Sequence, residues 1–149
     1  MNPPDDSEKC EWYSRGYLPH RDREGLTQSV TFRLADSLPQ KTLATLEEEL
    51  LDLPEDERDT EKRQKIERWL DAGIGCSALA NPKVAREMQD SLLHFHGQRY
   101  QLHAWCIMPN HVHALLEPSV ALSKIVQGWK SVTARWALAQ NEALGLGIP

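Results

Sequence analysis

Cysteine is scarce in this chain: three residues in 149, at positions 10, 76 and 106. They are widely spaced, odd in number and form no CxxC, which argues against a disulfide framework and against a zinc knuckle. No run of about 18 apolar residues exists, so no membrane-spanning segment is expected. Met1 to Glu11 is polar and acidic, with no apolar stretch for a signal peptide. It reads as a disordered leader (residues 1–11), and the cytoplasm is the expected compartment. Internal repeats and low-complexity tracts are absent. A surplus of positive charge is missing too: the formal net charge is −5, which argues against a surface built to coat nucleic acid.

The negative charge is local, however. Residues 36–71 hold twelve acidic and six basic side chains, whereas residues 119–149 hold one acidic and three basic. A small DNA site outside the acidic stretch is compatible with that distribution, with weak non-specific DNA binding. The length and the 40% hydrophobic share suffice for one domain with its own core, residues 12–149.

Residues 12–25 (WYSRGYLPHRDREG) mix aromatics, arginines, glycine and proline, and read as loop. From Gln28 to Leu34 apolar Val30, Phe32 and Leu34 alternate with Ser29, Thr31 and Arg33, the pattern of a half-buried strand. Asp36 to Pro39 marks a helix start, and Leu43, Leu46, Leu50 and Leu53 carry a helix to about Asp52. A highly charged helix is predicted over 55–70, broken by Gly73 and Gly75. Pro82 opens a third, through about Phe95. Beyond Arg99 the period changes. Tyr100, Leu102, Ala104 and Cys106 alternate with Gln101, His103, Trp105 and Ile107, and a turn at Met108–Pro109–Asn110 leads into a second strand over 111–117. The two strands would pair as an antiparallel hairpin. A last helix is predicted over 122–144. Strand, helices, strand, strand, helix is the front of a ferredoxin-like βαββαβ fold. It is an α+β architecture with an antiparallel sheet, extra helices between the first two strands, and no closing strand.

The chemistry-bearing segment is Met108-Pro109-Asn110-His111-Val112-His113. In a strand, residues i and i+2 leave the same face, roughly 6.5–7 Å apart along the chain, so His111 and His113 can converge on one divalent cation. On a helix the same spacing would splay them by about 200°. Val112, Ala114 and Leu116 would point the other way, into a core. A third side chain and waters would have to complete the shell. The plain alternative is a pair of half-exposed surface histidines. His94 and His96 form a second HxH, but at the end of a helical pattern that opposes convergence. Trp12, Tyr13 and Arg15 offer stacking and phosphate contacts suited to unpaired nucleic acid. Covering the sheet is the alternative role of Trp12 and Tyr13. Trp105, Trp129 and Trp136 read as core or interface.

The stretch MPNHVHALLEP resembles the HUH signature of the single-tyrosine transposases of bacterial insertion sequences, where U is a bulky apolar residue. WYSRGYLPH, VTFRLADSLP, LDAGIGCSAL, HGQRYQLHAW and IVQGWKS resemble the REP-associated branch of that family, named for repetitive extragenic palindromes. The resemblance runs from about Trp12 to Thr133. It implies a divalent cation, Mg2+ or Mn2+, held by His111 and His113 with a third polar side chain, polarising a phosphate of single-stranded DNA. It implies attack by a tyrosine hydroxyl, giving a 5′-phosphotyrosine and a free 3′-OH. Asn110 would shape the turn that presents the histidines. Lys130 and Ser131, in the WKS motif, would touch phosphate, with a solvated helix face as their alternative.

The same resemblance implies a catalytic tyrosine and a third metal ligand on a helix downstream of WKS. Tyr13, Tyr17 and Tyr100 do not match that position. The chain therefore reads as a C-terminally truncated transposase, with the family tyrosine expected beyond Pro149. The expected substrate is hairpin DNA with single-stranded parts, and relatives occur as monomers and as homodimers. Two other functions fit: a non-catalytic DNA-hairpin-binding module descended from a transposase, or an interaction domain that meets a partner through its acidic helices.

Overall fold

The computed structural model describes residues 25–149, together with the backbone of two short strands, Trp12–Ser14 (β1) and Pro19–Arg21 (β2). The remaining elements are β3 (Gln28–Arg33), α1 (Gln40–Leu50), α2 (Glu55–Asp71), α3 (Pro82–His94), β4 (Tyr100–Ile107), β5 (His111–Pro118) and α4 (Leu122–Leu144). Among the described residues no helix is long and apolar enough to cross a membrane.

β3, β5 and β4 form one antiparallel sheet in that order, with β5 at its centre. In order of appearance these are strands one, three and two, the arrangement of a ferredoxin-like sheet before its closing strand. The alternation of β5 explains its place. Val112, Ala114 and Leu116 are at most 2% exposed, and they meet Val30 and Phe32 of β3 in one core. α3 and α4 cover that face with Val84, Met88, Leu92, Ile125 and Trp129. The core is tied by a buried polar relay: the Tyr100 hydroxyl donates to the Leu92 carbonyl at 2.7 Å and accepts from Trp129 Nε1 at 2.9 Å.

The acidic helices are a separate unit. α1 and α2 bury Leu43, Leu46, Leu50, Ile66 and Leu70 with Leu38 in a second, smaller core. Lys62–Glu47 at 2.8 Å and Lys65–Glu49 at 2.9 Å join their solvent faces.

Three expectations need correction. Residues 12–14 and 19–21 are not loop: Trp12, Tyr13 and Ser14 pair with Arg21, His20 and Pro19 in a short antiparallel ladder. Asp36 does not start a helix, because α1 begins after Pro39. Its carboxylate instead accepts the Cys76 N–H at 2.7 Å. Gly75 makes room for this contact. Its φ is +97°, and a Cβ there would stand 2.9 Å from the Asp36 carboxylate. Lastly, β4 does not alternate evenly. A bulge between Leu102 and Ala104 inserts one residue and flips the later side chains. Trp105 and Ile107 therefore pair with core-facing Ala114 and Val112, while Cys106 pairs with His113 on the outer face.

Candidate metal centre

The outer face of the sheet, opposite α3 and α4, carries the two histidines. β5 is extended through residues 111–113, so His111 and His113 leave the same side. Their rings meet nearly at right angles, 88°, with Nε2 atoms 3.0 Å apart. That distance suits an N–H···N hydrogen bond. It also suits two neighbouring ligands of an octahedral ion, which stand about 3.0 Å apart for bonds of about 2.1 Å. The donor chemistry and spacing thus fit a divalent cation facing both rings.

What orients each imidazole lies behind it. Asn110 is fully buried, and its Nδ2 donates to the Ile74 carbonyl at 3.1 Å. A carbonyl only accepts, so the Asn110 Oδ1 must be the atom that faces His111 Nδ1, at 2.8 Å. Nδ1 of His111 therefore carries the proton, and its Nε2 presents a lone pair. His113 Nδ1 meets the Thr31 hydroxyl at 2.9 Å. A hydroxyl donates or accepts, so Thr31 serves either tautomer of His113. In the observed pair His113 Nε2 donates to His111, and Thr31 donates to Nδ1. Moving that proton to Nδ1, with Thr31 accepting, would turn both Nε2 lone pairs outward.

Burial separates the two rings electrically. His111 is 2% exposed, and desolvation first, then the neighbouring His113, lowers its pKa from the ordinary 6.5. Asp71 pushes the other way but less strongly. Its Oδ1 stands 3.9 Å from His111 Nε2, so beside a neutral ring this is proximity rather than an ion pair. Among the described residues, no three His, Cys, Asp or Glu side chains are arranged as a ready-made metal cage.

The turn between β4 and β5 is clamped from three sides. The Leu34 N–H donates to the Asn110 carbonyl, the Leu79 N–H to the Pro109 carbonyl, and the Met108 N–H to the His111 carbonyl. The segment 72–79 after α2 thus packs directly on the Pro-Asn-His turn.

The other candidate residues are not gathered here. Trp12 and Tyr13 lie in β1, with side chains outside the described residues, as is Arg15. Lys130 and Ser131 are exposed on α4, in the layer behind the sheet, and Lys130 Nζ is 5.7 Å from the Phe32 ring. His94 packs edge-on to Phe95, while His96 Nδ1 accepts the Leu102 N–H at 2.9 Å, so the second HxH is divided between separate environments. Of the three tryptophans, Trp129 is 2% exposed and Trp105 38%. Sequence reasoning missed Thr31 and Asp71. The polar face of β3 and an acid at a helix C-terminus were the available signals.

Residues 81–145, from the cap of α3 to the end of α4, match the family described as transposase, IS200 like. Comparison with curated proteins and with solved structures finds no match. The matched segment contains β4, β5 and both imidazoles, and leaves β3 and the α1–α2 pair outside. The similarity to the IS200-like transposase family thus lies in the segment that carries both imidazoles, a little under half of the chain.

Proposed function

We propose that this chain acts on single-stranded or hairpin DNA, with His111 and His113 as the protein's ligands to Mg2+ or Mn2+. The observation that carries this is the 3.0 Å approach of two Nε2 atoms on the outer face, with each Nδ1 tied back to Asn110 or Thr31. Metal dependence is general in the family. When bound, the cation would act as a Lewis acid on a phosphate oxygen.

The chain's own contribution is orientation. Asn110 holds the proton on His111 Nδ1, and burial keeps that ring neutral. Thr31 allows the His113 proton to reside on Nδ1. Arg33, directly paired with His111, is the only charged residue of β3 and lies beside the histidines. A phosphodiester on this face would meet it. The covalent step would form an O–P bond from a tyrosine hydroxyl and break the bond to the 3′ oxygen, which leaves as a 3′-OH. Tyr100 is unsuited to that task, since its hydroxyl is buried between Leu92 and Trp129. The nucleophile would come from outside the described side chains.

That same observation favours a second reading, a non-catalytic module that binds hairpin DNA. Two measurements separate them. Calorimetry with MnCl2 is expected to show binding by the natural chain and none after His111→Ala with His113→Ala; unchanged binding removes the metal assignment. Incubation with a hairpin oligonucleotide and Mn2+ is expected to shift the DNA in a gel. A denaturant-stable adduct supports strand cleavage, and a shift without one supports the binding module. No shift at all removes DNA as the partner.

A further inference from the structure

The stretches VTFRLADSLP and LDAGIGCSAL are far apart in the chain, yet both reach Asn110. From the first, the Leu34 N–H donates to the Asn110 carbonyl at 2.9 Å. From the second, the Ile74 carbonyl accepts from Asn110 Nδ2 at 3.1 Å. The stretches also hold each other. The Asp36 carboxylate accepts the Cys76 N–H at 2.7 Å, and the fit is tight: a Cβ at Gly75 would stand 2.9 Å from that carboxylate. Ser37, 0% exposed, fixes the Asp36 side of the contact, its hydroxyl donating to the Leu34 carbonyl at 2.7 Å.

The Ile74 side depends on this contact. Residues 72–77 lie outside the helices and strands, and Gly73, Gly75 and Ser77 all have positive φ. The Ile74 side chain is 39% exposed, so burial does not set its carbonyl. Yet that carbonyl decides which way the Asn110 amide faces, because it accepts only from Nδ2. Without it the amide can turn over and offer Nδ2, not Oδ1, to His111. A ring nitrogen that faces a donor must accept. The His111 proton would then sit on Nε2, and the lone pair aimed at the cation would be lost.

We propose that Asp36 is a positioning residue for the histidine pair: by holding Cys76, and through it the Ile74 carbonyl, it keeps the His111 proton on Nδ1. Gly75 is the residue type that lets Asp36 come this close. The purpose of the device rests on the metal reading above, but the tautomer it controls exists without a cation. Both residues lie outside the matched family segment, so the site draws its order from the rest of the chain.

NMR of the nitrogen-labelled, metal-free full chain tests this. At a pH well above about 6.5, where imidazole is neutral, long-range proton–nitrogen correlations show which ring nitrogen carries the proton. The natural chain is expected to show His111 protonated at Nδ1. So is Asp36→Asn, which keeps an acceptor for the Cys76 N–H. Asp36→Ala and Gly75→Ala break the contact from opposite sides. Both are expected to move the proton wholly or partly to Nε2, and to weaken Mn2+ binding in calorimetry about tenfold. Folded Asp36→Ala and Gly75→Ala proteins that keep Nδ1 protonated overturn the proposal. A loss in Asp36→Asn as large as in Asp36→Ala also overturns it, since acceptance of the N–H would not be the cause. A measurement on the natural chain decides the matter if the alanine variants fail to fold. Coupling between sites is reciprocal, so bound Mn2+ should slow hydrogen exchange at the Cys76 N–H, read by mass spectrometry. Exchange indifferent to saturating Mn2+ overturns the proposal. If the natural chain binds no Mn2+, the metal reading falls, and the tautomer comparison alone decides the role of Asp36.

Discussion

Asn110 directs its Oδ1 at His111 Nδ1 across 2.8 Å while its Nδ2 holds the Ile74 carbonyl. One buried amide thereby sets a tautomer and pins the segment that follows α2. Asn110→Ala would strand the Nδ1 proton of a ring that is 2% exposed. The expected loss is about 1–3 kcal/mol of stability, the range for an unsatisfied buried polar group. Urea denaturation measures it. Mn2+ affinity should fall on the order of 10–100-fold, as for other outer-shell partners of histidine ligands. A variant with the natural unfolding midpoint and natural affinity would show that Asn110 merely fills a turn.

Tyr100 has a different character from a nucleophile. Its hydroxyl accepts from Trp129 and donates to Leu92, in a residue 1% exposed. Tyr100→Phe leaves an indole N–H without that acceptor and should destabilise the chain by about 1–3 kcal/mol. Any covalent attachment to DNA should survive the substitution. Loss of attachment in a folded Tyr100→Phe protein would make this the attacking residue and would contradict the assignment of its hydroxyl to the core.

Much of this frame was legible in the residues. α3 and α4 follow from apolar spacing and from Pro82 and Gly145, which begin and end them. The period-two run of β5 set the histidines on one face. Other features were illegible because they depend on partners far along the chain. The bulge at Leu102/Ala104 depends on how β4 lies against β5, and it reverses which side Cys106 faces. Asp36 looks like a helix cap locally, yet its partner is forty residues away at Cys76. Asn110 has the residue type of a turn, and only the approach of Ile74 turns it into an orienting group. Thr31 is one polar residue among several until β3 pairs with β5 and sets it against His113.

The depressed pKa of His111 gives the fold a pH dependence with a definite sign. Burial, then His113, holds the folded ring's pKa below the ordinary 6.5. The unfolded chain therefore takes up this proton first as pH falls. The contribution of neutral His111 is complete above about 6.5. It is lost progressively as pH drops from there toward the folded value. Denaturation midpoints taken between pH 8 and pH 5 should fall on the acid side, and by less in His111→Gln. NMR titration of the His111 ring should show a midpoint below 6.5; a midpoint above it would mean that Asp71 outweighs burial.

Thr31 offers the finest test of the tautomer argument. Its hydroxyl stands 2.9 Å from His113 Nδ1 and can take or give a proton bond there. If His113 is to turn a lone pair outward, Nδ1 must carry the proton, and Thr31 is its acceptor. Thr31→Val keeps the branched shape that suits a strand but removes the oxygen. Thr31→Ser keeps the oxygen and loses a methyl. Mn2+ affinity should therefore fall about tenfold in Thr31→Val and recover most of the way in Thr31→Ser, with circular dichroism unchanged in both. Should the two variants bind equally well, the proton on His113 is indifferent to Thr31, and the ring is held by packing against His111 alone.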